Sequence, residues 1–154
     1  LDYSVTLKDL QELSDKEIVL WTLFCTNRVS HLWWRSDLAK ACVYAVEGYI
    51  NNRTSPETCN ESARTLMNSI HHMTLSPRYD YAIRSAAYVA YTAGHIIYST
   101  NPYACNTAVT CANYAHSALN NKQRERFNKE TWEYYNELNT INNIFEDIVL
   151  KGNV

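Results

Sequence analysis

Five histidines and five cysteines are the residues of this 154-residue chain best suited to nucleophilic or metal chemistry. The histidines are His31, His71, His72, His95 and His116. A helical zinc site needs two histidines four apart around a glutamate, and a di-iron bundle needs Glu-x-x-His pairs, so that the ligands converge from one face. Neither pattern occurs, so a metal site would have to be assembled from separate helices. His71 and His72 are adjacent and point to different faces. His95 follows Gly94 in a helix of small residues, with Tyr91 and Tyr98 nearby on the helix surface. It reads as a polar core residue bonded to a carbonyl or a tyrosine hydroxyl; a role in orienting a ligand is the alternative reading.

The cysteines are Cys25, Cys42, Cys59, Cys105 and Cys111. Their number is odd, none forms a C-x-x-C pair, and each sits among apolar residues. They read as small buried hydrophobes in a reducing compartment. A cysteine nucleophile also needs a base within reach. Cys111 and His116 lie on poorly matched faces, which leaves only Cys105 and His95 to meet across a hairpin. Asp37, Glu47, Glu61 and Asp80 are isolated acids, and no glycine cluster forms a phosphate loop. The residues therefore predict no catalytic centre, no metal site and no cofactor.

Aromatic side chains point elsewhere. The chain has 12 tyrosines and four tryptophans. Trp21 and Trp132 fall on apolar stripes and are expected in the core. Trp33-Trp34-Arg35 ends a helical pattern, and two adjacent tryptophans cannot face one core, so one of them should lie at the surface. Trp, Tyr and Arg are the side chains that anchor protein interfaces. Trp34, Arg35, Tyr79 and Tyr81 are therefore the candidate partner-binding residues.

The elements that position these residues should all be helices. With only three glycines and three prolines in the chain, a sheet protein would lack turn residues. Hydrophobic residues make up 46% and charged residues 19%, which is a globular rather than a disordered composition. A net charge of −2 argues against a nucleic-acid binder. The longest apolar run, residues 19–25, is far short of a membrane span, and no leader-like segment is read. Two sequons, at Asn52 and Asn60, are what a chain rich in Asn, Ser and Thr produces by chance.

Start and stop signals divide the chain. Thr6 caps a short helix over residues 7–13. Ser14 and Glu17 form a capping box, followed by Ile18, Trp21, Phe24, Cys25, Val29 and Leu32 on one face. Ser36 caps a helix with Leu38, Ala41, Cys42, Ala45, Val46, Tyr49 and Ile50 inward, and residues 51–53 turn. Ser55-Pro56, Ser76-Pro77 and Asn101-Pro102 each place proline at a helix start. They open helices over about 56–70, 77–99 and 102–119, and Asn120-Asn121 closes the last of these. A final helix over about 122–150 turns Phe127, Thr131, Tyr135, Leu138, Ile141, Phe145 and Ile148 inward. Arg124, Arg126, Lys129, Glu130 and Glu133 read as its solvated face. The prediction is a single all-α domain over residues 1–154, a compact bundle of six or seven helices.

At its centre, alanine or glycine recurs every fourth residue, at Ala82, Ala86, Ala90 and Gly94 and again at Ala104, Ala108 and Ala112. Two stripes without bulky ridges can approach closely, so these helices should form a close-packed Ala-rich hairpin. Together with Leu20-Trp21-x-x-x-Cys25-x-x-Arg28-Val29, the Glu47-Gly48-Tyr49-Ile50 turn and Ala93-Gly94-His95, this order resembles the all-helical immunity proteins of bacterial polymorphic toxin systems, the immunity-family-five-like group. The resemblance spans most of residues 14–118. It implies a cytoplasmic, non-enzymatic antitoxin that binds a cognate protein toxin stoichiometrically, with no nucleic acid, membrane or cofactor involved. The second histidine of that group has no counterpart here, where Asn101 and Cys105 stand, so the resemblance carries no metal role for His95. The alternative reading is a helical small-molecule- or metal-binding protein with its site around the Gly94-His95 hairpin.

Overall fold

The computed structural model describes the backbone of residues 3–96 and 101–152, and the side chains of residues 3–96 and 102–140. Its described residues form eight helices and no strand: α1 (Leu7–Leu10), α2 (Asp15–Asn27), α3 (Ser30–Trp33), α4 (Asp37–Ile50), α5 (Pro56–Ile70), α6 (Pro77–His95), α7 (Asn101–Ser117) and α8 (Asn121–Gly152). The fold is an all-α bundle. None of these helices is long and apolar enough to cross a membrane.

The helix starts obey local chemistry. Thr6 and Ser14 each accept from the backbone three residues on, and Asp9 and Glu17 return the bond to the cap residue. Ser36 and Ser55 cap α4 and α5 with the side-chain bond alone, accepting from the Ala39 and Thr58 amides, and Pro56 stands in the first turn of α5. Each such cap contributes about 1 kcal/mol. Asn120 departs from expectation. Its side chain accepts from the Gln123 amide at 2.9 Å, and its own amide donates to Gln123 Oε1 at 3.1 Å. Asn120 therefore opens α8 rather than closing α7. The carbonyls at the end of α7 are met by Arg124, whose guanidinium donates to His116 and Ser117 at 3.0 and 3.1 Å. Arg124 is thus a half-buried cap, not part of a solvated face.

There is one helix more than the upper expected count because the segment from Ser14 to Leu32 breaks. Val29 leaves helical geometry at φ −117° and ψ 19°, and its amide bonds to Thr26 O instead of continuing the ladder. The indole Nε1 of Trp33 donates to the same carbonyl at 2.9 Å. This second bond to a carbonyl at the end of α2 holds α3 against it.

Helix α6 is the centre of the bundle. It packs most extensively on α7, and also on α2, α3, α4 and α5. Ala82, Ala86, Ala90 and Gly94 are buried, as are Ala104 and Ala108 on α7, while Ala112 is only partly so. The small-residue stripe serves more neighbours than α7 alone. A β-carbon on Gly94 would lie 2.6 Å from Asn60 Cβ and 3.0 Å from Asn60 Cα, so its missing side chain admits α5. Buried hydroxyls tie α6 to α2, with Thr26 Oγ1 and Ser85 Oγ 2.7 Å apart and Ser85 also donating to Ala82 O. The Cys111 thiol of α7 donates to Ser85 O at 3.1 Å, so three helices meet at one satisfied polar seam.

Other expected core positions moved. On α4 the buried residues are Ala39, Cys42, Val43 and Val46, and Ala41 is exposed. Val43 is the bulkier side chain, and its burial rotates Ala41 outward. Trp132 is half-buried, edge-on to Tyr3 at 5.5 Å, whereas Trp21 is in the core and donates to Thr131 O. Phe127, Thr131, Tyr135 and Leu138 are buried as expected. Ile141, Phe145 and Ile148 lie outside the described side chains, as Tyr98 lies outside the described residues.

Candidate protein-binding site

The candidate site begins with the choice between Trp33 and Trp34. Trp33 is 6% exposed and committed to Thr26 O, so its neighbour on the chain must project outward. Trp34 is 52% exposed. The guanidinium carbon of Arg35 sits 5.1 Å from its ring centroid, a cation–π contact of about 0.5–1 kcal/mol at an exposed position. Among the described residues no carboxylate pairs with Arg35.

Trp34 and Arg35 stand at one rim of a groove of about 620 Å³. Leu32 and Ile83 provide buried floor, Leu38 from the first turn of α4 adds to it, and Met73 and Leu75 from the α5–α6 connection form a wall. Tyr79, in the first turn of α6, lines the same groove as Trp34. Of the seven large hydrophobic residues exposed among the described residues, Trp34, Met73 and Tyr79 converge here. An open apolar groove rimmed by Trp, Tyr and Arg has the composition of an interface anchor site.

The sequence candidates thus divide. Trp34, Arg35 and Tyr79 come together, whereas Tyr81 does not join them. Two residues along a helix is more than half a turn, so Tyr81 faces away from Tyr79. It stacks on Tyr114 of α7 at 6.2 Å. Tyr114, Tyr88, Tyr91 and His95 continue an aromatic ladder along α6, with ring centroids 5.4–5.7 Å apart. Tyr88, Tyr91 and Tyr114 are half-buried and engage one another. Asp80 is not isolated either, since Arg84 pairs with it at 3.0 Å, and Asp37 pairs with Lys40 at 3.5 Å.

Met73, Leu75 and Ile83 were not singled out by sequence reasoning, and Leu32 was read only as part of an apolar helix face. An apolar Met73 and Leu75 in a connection between helices, where polar residues are usual, is the signal that points to them.

His95 lines none of the grooves described here and stacks against Tyr91 at 5.7 Å. Burial lowers its pKa below the usual histidine value, which favours the neutral ring near neutral pH. All five cysteines are buried, and burial is the leading cause that raises each thiol pKa. Cys42 is pushed up to about 12 and Cys59 to about 11. Protonated thiols at neutral pH are poor nucleophiles and poor metal ligands. Among the described residues, no three His, Cys, Asp or Glu side chains are placed to hold a metal ion.

No protein-family model matches the chain, and no match is found among curated proteins or solved structures.

Proposed function

We propose that this chain acts by stoichiometric binding of a protein partner, as an immunity protein that neutralises a cognate toxin. The observation that carries the binding part is the convergence of exposed Trp34, Arg35 and Tyr79 on one apolar groove. The class of partner comes from the sequence resemblance alone. Covering the exposed half of Trp34 and of Tyr79 removes apolar area from water at about 25 cal/mol per Å², and Arg35 supplies a charge already stacked on Trp34.

The scaffold suits such a role. Side chains at the rim are held by α3, α4 and α6, and α3 is fixed by the Trp33 bond to α2. A rigid surface loses little entropy on docking.

The reading predicts a toxin gene beside this one, and co-expression with that toxin tests it. Trp34→Ala combined with Arg35→Ala should weaken protection while leaving helicity intact, with a loss of about 2 kcal/mol or more in binding if both are anchors. Full protection by the double variant would remove this groove from the mechanism. Measurable turnover of a small substrate by the purified chain would replace the reading altogether.

A further inference from the structure

The groove continues beyond Trp34. His31 lines it and also lines a second depression of about 270 Å³ that includes Arg28, Arg126 and Glu130. Along this joined surface the fixed charges are unequal. Asp37 is paired with Lys40 at 3.5 Å. Glu130 is shared by Arg28 at 3.0 Å and Arg126 at 3.7 Å. Arg35 has its stacking contact with Trp34 and no ion pair among the described residues. Three lining cations, Arg28, Arg35 and Arg126, therefore stand against two lining carboxylates, Asp37 and Glu130, on a chain whose overall charge is −2. The strip carries positive charge against the trend of the whole molecule.

We propose that the occupant of the groove is a protein segment in which a carboxylate adjoins an apolar side chain; this rests on the groove being the docking site. The apolar side chain covers Leu32, Leu38 and Ile83, and the carboxylate closes on the Arg35 guanidinium. A guanidinium presents parallel donors that match a carboxylate in bidentate geometry. Stacking on Trp34 already limits its rotamers, so less freedom is lost when the bond forms. A second acid on the same segment meets the surplus cation beside Glu130. A nucleic acid is the poorer fit, because the apolar floor offers nothing to a phosphate and Asp37 and Glu130 interrupt the basic strip.

The test uses the whole chain and two short synthetic peptides of Leu and Phe alternating with Asp in one and with Lys in the other. Binding is read from acrylamide quenching of tryptophan fluorescence, since Trp34 is the most exposed of the four tryptophans. The Asp peptide should protect Trp34 and bind at least roughly tenfold more tightly than the Lys peptide, with the preference falling at high salt. Arg35→Glu should reverse the preference, and Arg35→Lys should fall between, because charge remains while the fork is lost. Equal binding of the two peptides, binding of neither, an unchanged preference in Arg35→Glu, or tighter binding of a poly-dT oligonucleotide each overturns the proposal. The docking premise fails separately. If Trp34→Ala abolishes protection in co-expression but the Asp peptide shows no preference, the groove stands and its charge chemistry does not. If Trp34→Ala protects fully, the premise itself is lost.

Discussion

The two ends of α6 solve opposite problems. Near its C-terminus, Gly94 lies so close to Asn60 of α5 that a methyl group has no place. At its N-terminus the same helix forms one wall of an open groove, with Tyr79 47% exposed and Ile83 at the floor. The difference follows from what each end meets. Residues 82–94 face helices on several sides and are mostly small, so backbones approach and side chains interlock. The first turn meets α3, a four-residue helix, and the exposed connection from His71 to Ser76. Neither is long enough to cover it. The closed end holds the bundle together, and the open end leaves apolar surface for something else.

The closed end should be the less tolerant of added volume, and the most severe test is a large side chain at its centre. Ala86 and Ala108 are fully buried. Ala86→Leu or Ala108→Leu should destabilise by about 1–3 kcal/mol through overpacking. For a chain of this size that lowers the melting temperature by roughly 2–12 °C. Parent-like melting in both variants would break the contrast, because the seam between α6 and α7 would then have room.

A finer test is Gly94→Ala. Replacing glycine within a helix gains up to about 1 kcal/mol from propensity. Here the new carbon would meet Asn60 Cα and Cβ, which are not the ends of a flexible chain. The clash should win, for a net loss of about 1–2 kcal/mol in urea unfolding. A gain in stability would show that α5 yields and that the approach of the two helices is loose.

Acid sharpens the same contrast with a smaller effect. Burial lowers the pKa of His95 at the closed end of α6, and burial together with Arg124 lowers that of His116 at the end of α7. A folded-state pKa below the unfolded value means that the unfolded chain takes up protons first. Stability from these groups is complete above the ordinary histidine pKa of 6.5 and falls as the pH drops through it. Melting temperature should therefore decline between about pH 7 and pH 5.5. His95→Gln with His116→Gln should flatten that decline; an unchanged slope would assign it to other groups.

The legibility of the fold follows the same division. Caps at Thr6, Ser14, Ser36 and Ser55 could be read because each depends on a few consecutive residues. The alanine stripe could be read because a four-residue recurrence fixes one face. Asn120 was misplaced because an asparagine between helices suits either a stop or a start, and only Gln123 three residues on decides it. Which tryptophan turns outward depended on the Thr26 carbonyl seven residues earlier. The groove was only partly visible because two segments distant in sequence, residues 31–38 and 73–83, build it. Tyr79 and Tyr81 looked like one patch in sequence and lie on different faces of α6.

The smallest expected effect belongs to the open end. Trp34 contributes its exposed ring and the Arg35 contact to the isolated chain, whereas Trp33 supplies the buried bond to α2. Losing an exposed cation–π contact costs about 0.5–1 kcal/mol, and removing exposed apolar surface from water offsets part of that. Trp34→Ala should therefore change unfolding free energy by no more than about 0.5 kcal/mol, within the usual range for surface substitutions. Trp33→Phe keeps much of the packing but removes the donor to Thr26 O, and should cost about 1–2 kcal/mol. The adjacent pair thus separates the two roles by stability alone. Fluorescence offers an independent check, because loss of the most exposed tryptophan should shift the remaining emission to shorter wavelength. If Trp34→Ala instead destabilises as much as Trp33→Phe, Trp34 is part of the scaffold. The groove would then be an extension of the core rather than a surface reserved for a partner.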